Sequence, residues 1–456
     1  MEATVSERTS PERQATFREV LGEREFSAVL TANAFSWVGD YVARAAVTVL
    51  VYQETEGSVA LSAAAFAVSY LPWLVGGPVL AALAERHRYR RVMVLCDLAR
   101  MALMAVIAIP GIPVWAILAL LFASTLANPP SQAARSALQA TILTGDRLVL
   151  GLSLSASVSQ VAQVVGYLAG AMMAVYDPAL ALLLNAVTFG LSALLIRFGV
   201  RDREPAMTAA HRSHLLRETG EGFRIVFGTP VLRAIAVLVF SVMLFSIVPE
   251  GLAAAWAKES SGAGADAGVA QALIMAANPA GFILGGLLIG RVFGPTRRLT
   301  LMRPLAVLAP LVLVPALLDP PPVVVALLGA ACGFTVAGML PTANGLFVRA
   351  LPNAYRARAF GVMATGMQVI QGGAVLITGL LADRFSVPVV VGVWSAAGVL
   401  LMLATALPWP DRATVDAAVD AAERANATVP AQDRGHLAGG ARARSGQPGR
   451  HSHAVT

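Results

Sequence analysis

Lysine is almost absent: of 34 basic residues only Lys258 is a lysine, and the rest are arginines. Charge of either sign is scarce too, at 13% of 456 residues, against about 25% in an ordinary soluble domain. A soluble chain of this length needs a charged surface around several domains, and so few charges cannot cover it. The two cysteines, Cys96 and Cys332, each lie inside an apolar stretch and are too few for a disulfide or metal framework, so they read as buried packing. The six histidines are scattered, with no His/Cys metal spacing. No Gly-Lys-Ser/Thr phosphate loop is present, which argues against ATP as an energy source. Nothing points to an enzyme or a cofactor. The pI near 10.0 and net charge of +7 come without the basic stripe and interleaved aromatics that nucleic acid calls for, so anionic lipid headgroups are the simpler partner.

What the chain has instead is apolar sequence, 57% of it, arranged in runs of the length needed to cross a bilayer. Twelve runs are expected to be spans: 26–52, 58–83, 92–110, 113–141, 152–175, 178–198, 231–256, 269–293, 299–318, 322–349, 359–382 and 388–407. Spans 3 and 4 are divided only by Pro110-Gly111-Ile112-Pro113, and spans 9 and 10 by Asp319-Pro320-Pro321-Pro322; such clusters cannot continue a helix.

Arginines set the orientation, because short loops rich in them stay on the cytoplasmic side. The even-numbered loops carry them: Arg86, Arg88, Arg90 and Arg91 after span 2, Arg201 to Arg224 after span 6, Arg297 and Arg298 after span 8, Arg356 and Arg358 after span 10. The odd loops are nearly free of them, with Lys258 and Arg384 as exceptions. Both termini are therefore expected in the cytoplasm of a multi-pass protein of the cell membrane. Residues 1–25 show no cleavable signal pattern and read as a cytoplasmic segment.

The two halves repeat each other. Gln160-Val161-Ala162-Gln163 in span 5 recurs as Gln368-Val369-Ile370-Gln371 in span 11, at an offset of 368 − 160 = 208. Arg90-Arg91 recurs as Arg297-Arg298 at 207, and Pro130 as Pro341 at 211. Each offset joins span n to span n+6, as in transporters built by duplication. The expected division is bundles at 26–198 and 231–407, a polar linker at 199–230 that could include a surface helix, and a disordered tail at 408–456. Gly379-Leu380-Leu381-Ala382-Asp383-Arg384 at the end of span 11 reads as an echo of the repeat.

Twelve spans in two sixfold halves with an arginine-rich loop after span 2 resemble the major facilitator superfamily. That family's loop signature is roughly Gly-x-Leu-Ala-Asp-Arg-x-x-Arg-Arg; here the chain reads Ala81-Ala82-Leu83-Ala84-Glu85-Arg86-His87-Arg88-Tyr89-Arg90-Arg91. Glu85 replaces the aspartate and Ala81 the glycine. Cys96-Asp97-Leu98-Ala99-Arg100 and Pro352 to Gly361 resemble the branch of enterobactin-exporter-like and macrolide-efflux-like permeases. The resemblance implies an all-α membrane fold of two pseudo-symmetric six-helix bundles. One departure concerns direction: members that exchange substrate for protons often carry Gly-Pro-x-x-Gly-Gly in span 5, whereas this chain has Gly166-Tyr167-Leu168-Ala169-Gly170.

An ionisable group at membrane depth is costly unless paired or hydrated, which makes each one a functional candidate. Asp40 has Arg44 at i+4, close enough for an ion pair within one helix. Asp40 is either a proton-binding carboxylate tuned by Arg44 or half of a permanent structural pair. Glu250, after Pro249 in span 7, either binds a cation or gates the outer vestibule, or else sits in headgroups or water. Glu85, Arg86, Arg90, Arg91, Asp97 and Arg100 form a candidate gate at the inner face, with lipid contact as the alternative for the arginines; Arg135 reads as interfacial or gating. Asn33, Gln160, Gln163, Asn185, Asn278, Gln368 and Gln371 need hydrogen-bond partners inside apolar spans, either lining a cavity or joining helices. Phe66, Trp73, Phe245 and Trp256 either line the same space or pack. A large, mostly apolar substrate would suit such a site.

The expectation is thus a monomeric secondary transporter with a small-molecule substrate, protons and membrane lipids as partners. Efflux is favoured by the branch resemblance. Uptake by the same fold, or a non-transporting scaffold or receptor, remain alternatives.

Overall fold

A computed structural model describes residues 16–73, 87–203, 215–262 and 264–427, and the described residues form helices and connecting turns without a strand. A short helix α1 (Phe17–Gly22) precedes α2 (Arg24–Glu54), which is span 1. Span 2 begins as α3 (Val59–Val68) and passes beyond the described residues after Trp73. Then follow α4 (Tyr89–Ile107), α5 (Val114–Thr125) with α6 (Asn128–Ile142), α7 (Asp146–Tyr176) and α8 (Pro178–Gly199), which correspond to spans 3 to 6. The linker contributes α9 (Leu215–Gly228).

In the second half, span 7 is broken into α10 (Pro230–Ser246), α11 (Val248–Gly251) and α12 (Ala253–Ser261). The break falls at Pro249, which has no N–H to donate to the turn before it. Spans 8 to 12 are α13 (Ala265–Val292), α14 (Pro295–Leu311) with a 3-10 turn at Val314–Leu318, α15 (Pro322–Arg349), α16 (Arg356–Ala382) and α17 (Val387–Ala406). Span 4 divides at Leu126 and Ala127, ahead of Pro129-Pro130 in the first turn of α6.

Ten of the described helices are long and apolar enough to cross a membrane. Of the two other expected spans, α4 is lowered in hydropathy by Arg90, Arg91, Asp97 and Arg100, and α3 is described only in part. Apolar residues also cover the outside: Leu95, Val187, Leu287, Leu327 and Leu400 are all more than half exposed. Helices apolar on every side need a lipid surround.

One expectation is overturned at the C-terminus. Residues 412–427, read as disordered, form α18 (Arg412–Ala427), which buries Val419 and Ala422 against the second half. Val415, Ala418, Val419 and Ala422 do follow a helical period, but the many alanines give it little contrast. Residues 428–456 lie outside the described part.

Glycines decide how closely the helices approach. A methyl group built on Gly170 of α7 would stand 2.6 Å from the backbone of Val42 in α2, so spans 1 and 5 meet main chain to main chain. Two helix pairs make close contact between the halves. Span 5 meets span 8 where Gly268 faces Val175, and span 2 meets span 11 where Gly372 faces Tyr70 and Gly379 faces Ala63. A relation carrying span n to span n+6 exchanges these two contacts. A large core cluster lies at this junction and mixes Phe66, Tyr70 and Tyr167 of the first half with Trp256, Met275 and Val375 of the second.

Candidate functional site

Buried charge collects in two places. The first lies inside the first half, among spans 1, 3, 4 and 6. Arg100 of α4, 3% exposed, donates to Asp40 of α2, and its guanidinium stands 4.1 Å from the ring centre of Phe189. Asp97, one turn earlier, is 2% exposed and accepts from Ser192 Oγ at 2.7 Å. Arg135 lies over the Trp37 ring at 4.9 Å and donates to Gln132 at 3.2 Å.

This corrects the expected pairing of Asp40 with Arg44. Spacing at i+4 permits that pair, but Arg100 arrives from a neighbouring helix and takes the carboxylate. Asp97 and Arg100, expected in a gate at the inner face, are buried among these helices.

The second place is the junction of the halves. Arg44 turns away from Asp40 into a cage of aromatic faces, 5.4 Å from the ring centre of Tyr41, 5.2 Å from Phe66 and 5.4 Å from Tyr70, and donates to the Tyr70 hydroxyl at 3.3 Å. Cation–π contacts are worth about 0.5–2 kcal/mol, more as the cation is desolvated. Glu250, 3% exposed, enters from the broken helix of span 7. Its Oε2 accepts from the Tyr167 hydroxyl at 3.1 Å, and Gln163 lies one turn before Tyr167 within reach of the same carboxylate. Tyr167 also reaches toward Arg44 and meets Tyr41 edge to face at 5.1 Å. A cation, a carboxylate and three tyrosines therefore share one buried site contributed by spans 1, 2, 5 and 7.

Among the expected amides, Gln163 joins this site. Gln371 donates to Met243 Sδ at 3.6 Å and Asn278 to the Ser246 carbonyl at 3.3 Å, both within the second half. Gln160 and Gln368 are half-buried, Asn185 is buried beside Thr188, and Asn33 is 1% exposed with both amide atoms unpartnered. Phe66, Phe245 and Trp256 are packed in the core and Trp73 is half-buried. Glu85 and Arg86 lie outside the described residues. Reasoning from the sequence missed Tyr41, Tyr70 and Tyr167, since a tyrosine within an apolar run reads as packing. The available signal was Tyr167, which stands where the family pattern has proline.

At the ends bearing the arginine loops, several ion pairs form among the described residues. Asp202 accepts from Arg88 at 2.6 Å and lies 3.3 Å from Arg90, Glu25 pairs with Arg203, and Glu221 pairs with Arg358 at 2.6 Å. Arg91 is exposed. Asp202 lies outside the spans, and the Arg88 hydrogen bond, helped by the nearby arginine charges, holds its carboxyl below the usual carboxylate range. At the opposite end, bonds cross between the halves: Asp383 to Val59 and Ala60, and Gln271 to the Ala45 carbonyl at 3.2 Å. Lys258, the single lysine, sits at the rim of this junction with Tyr52 and Gln53.

Helices apolar on the outside, with a charged and aromatic site buried between two halves, define a multi-pass membrane transporter. The chain belongs to the major facilitator superfamily, whose family model matches residues 29–369. Among solved structures, it is similar to the nucleoside transporter NupG, with a TM-score of 0.68 and 14% identity over 83% of this chain and 98% of that one. It is also similar to the peptide transporter POT, with a TM-score of 0.64 and 17% identity over 84% and 93%. A third is a bacterial homologue of the human lysosomal transporter Spinster in an inward-facing, unoccupied conformation, with a TM-score of 0.60 and 13% identity over 88% and 98%. No curated protein matches the chain in sequence.

Proposed function

We propose that the chain is a proton-coupled exporter of a small, largely apolar compound such as a drug, siderophore or natural product, working as a monomer by alternating access. Twelve spans in two six-helix bundles enclose the site, with both termini in the cytoplasm of the cell membrane. On that orientation the arginine loops face inward. The junction is then closed outside, where bonds cross between the halves.

The observation that carries the reading is the bond from Tyr167 of one half to Glu250 of the other, beside Arg44. A hydrogen bond to an ionised carboxylate is about twice as strong as one between neutral groups. Gain or loss of the Glu250 proton therefore changes how strongly the halves cohere, which links a proton to a conformational change. Arg44 supplies a fixed positive charge beside the site. Asp40, paired with Arg100 inside one half, holds spans 1 and 3 together, and its link to coupling is through Arg44 one turn away. Asp97, Arg100 and Arg135 brace the inner part of the first half, and Arg90 acts through Asp202. Glu85, Arg86 and Arg91 serve as the inner gate, as the loop resemblance implies. Gln160, Gln163, Gln368, Gln371, Asn33 and Asn278 supply polar contacts in and around the cavity. Efflux is supported by the resemblance to the exporter branch.

The test is accumulation of a panel of labelled apolar dyes and macrolides in cells lacking their own exporters. Expression should lower accumulation of at least one compound, a protonophore should restore it, and Glu250→Gln should behave like empty cells. Raised accumulation would instead identify uptake, and an unchanged panel would remove the support for export.

A further inference from the structure

Asp383 ends span 11, and its side chain crosses to the other half of the molecule. Its Oδ1 accepts from the N–H of Val59 at 2.8 Å and of Ala60 at 3.0 Å, the first two residues of α3. Ser58 Oγ accepts from the next donor, the Leu61 N–H, at 3.3 Å. The donors that the first turn cannot satisfy within its own helix are thus shared between the local cap and a carboxylate from the other half. Those donors carry the positive end of the helix dipole, where a carboxylate is favoured. Beneath the contact the two helices are closely packed. Gly379 abuts Ala63, and a methyl on Gly372 would stand 3.0 Å from Cβ of Tyr70. The contact can exist only while these ends of the halves touch.

We propose that Asp383 is a latch: its hold on the start of α3 keeps the outer junction shut and sets how often that junction opens. The segment Gly379 to Arg384, which reads in sequence as an echo of the repeat, then has its own task at the opposite face. The proposal rests on the reading of the halves as moving parts. Glu259 provides an internal control. Its Oε2 accepts from the Val387 N–H at 3.1 Å at the start of α17, a contact of the same chemistry, but both residues belong to the second half.

The experiment uses the full chain in membrane vesicles with Cys96→Ala and Cys332→Ala and a reporter, Ala374→Cys, at a position fully buried in the junction. The rate of labelling by a membrane-impermeant maleimide applied from the outer side reads how often the junction opens. Asp383→Ala should raise that rate about tenfold, the scale of a helix cap plus its dipole contribution. Asp383→Asn, which keeps an acceptor and loses the charge, should fall between, and Glu259→Ala should leave the rate unchanged. The latch is overturned if Asp383→Ala and Asp383→Asn both label at the parent rate, or if Glu259→Ala accelerates labelling as much. Should Asp383→Ala fail to fold, Asp383→Asn against Glu259→Ala decides alone. A parent protein whose reporter never labels, at any pH, would show that the halves do not part there; the moving-halves reading would then fail on the parent alone, and the latch with it.

Discussion

Tyr167 and Glu250 lie 83 positions apart, in different halves of the chain, and are joined by one buried hydrogen bond of 3.1 Å. Tyr167 takes the place of a proline in the span 5 pattern of proton-exchanging relatives. A proline there could offer no donor, whereas the tyrosine brings a hydroxyl to a carboxylate of the opposite half.

Tyr167→Phe should keep the ring packed against Tyr41 and lose the bond. Leaving the Glu250 carboxylate short of a donor should cost about 1–3 kcal/mol. The expected outcome is a lower melting temperature in detergent and transport reduced several-fold, while Tyr176→Phe, a change at an exposed position, should alter neither.

Asp40 and Arg100 should behave as a unit. Arg100→Ala leaves Asp40 without its guanidinium and should destabilise by about 3 kcal/mol, and Asp40→Asn should also destabilise by orphaning Arg100. The double variant should be less destabilised than the sum of the two. A double-mutant cycle by thermal unfolding checks this; additive effects would mean the pair is not coupled.

The two helices whose main chains touch at Gly170 should tolerate no side chain there. Gly170→Val places methyl groups against the Val42 backbone and should cost about 1–3 kcal/mol by overpacking. Gly286→Ala, with nothing within 4 Å of the added methyl, should be neutral in the same melting assay.

Much of this fold is legible in the sequence because bilayer crossing imposes a strong signal: long apolar runs, proline breaks and arginine asymmetry each mark a boundary. Breaks inside spans are less legible, as in span 7, where Pro249 divides one apolar run into three helices. The site was half legible. Asp40, Arg44 and Glu250 stand out as charges in apolar surroundings, but a helix offers each side chain several directions, and spacing cannot say that Arg44 turns to Tyr70 and that Arg100 takes Asp40. Asp383 lay within a visible motif, yet its partner is 324 residues away, a distance no local pattern spans.

Acid should loosen the clasp between Asp202 and Arg88. Because the folded-state carboxyl is held below its ordinary range, its contribution is present above that range and is lost as pH falls through the lowered value. Melting temperatures at about pH 7 and about pH 2, below the ordinary aspartate range, should therefore differ more in the parent than in Asp202→Asn.

The central claim is that a proton on Glu250 governs the separation of the halves. Spin labels at Tyr176→Cys and Asp266→Cys, at the ends of spans 5 and 8 away from the arginine loops, report that separation by pulsed electron double resonance in a Cys96→Ala, Cys332→Ala background. The account predicts a short and a long distance whose proportions change with pH in the parent and are independent of pH in Glu250→Gln. An unaltered pH response in Glu250→Gln, or a single distance at every pH, would contradict it.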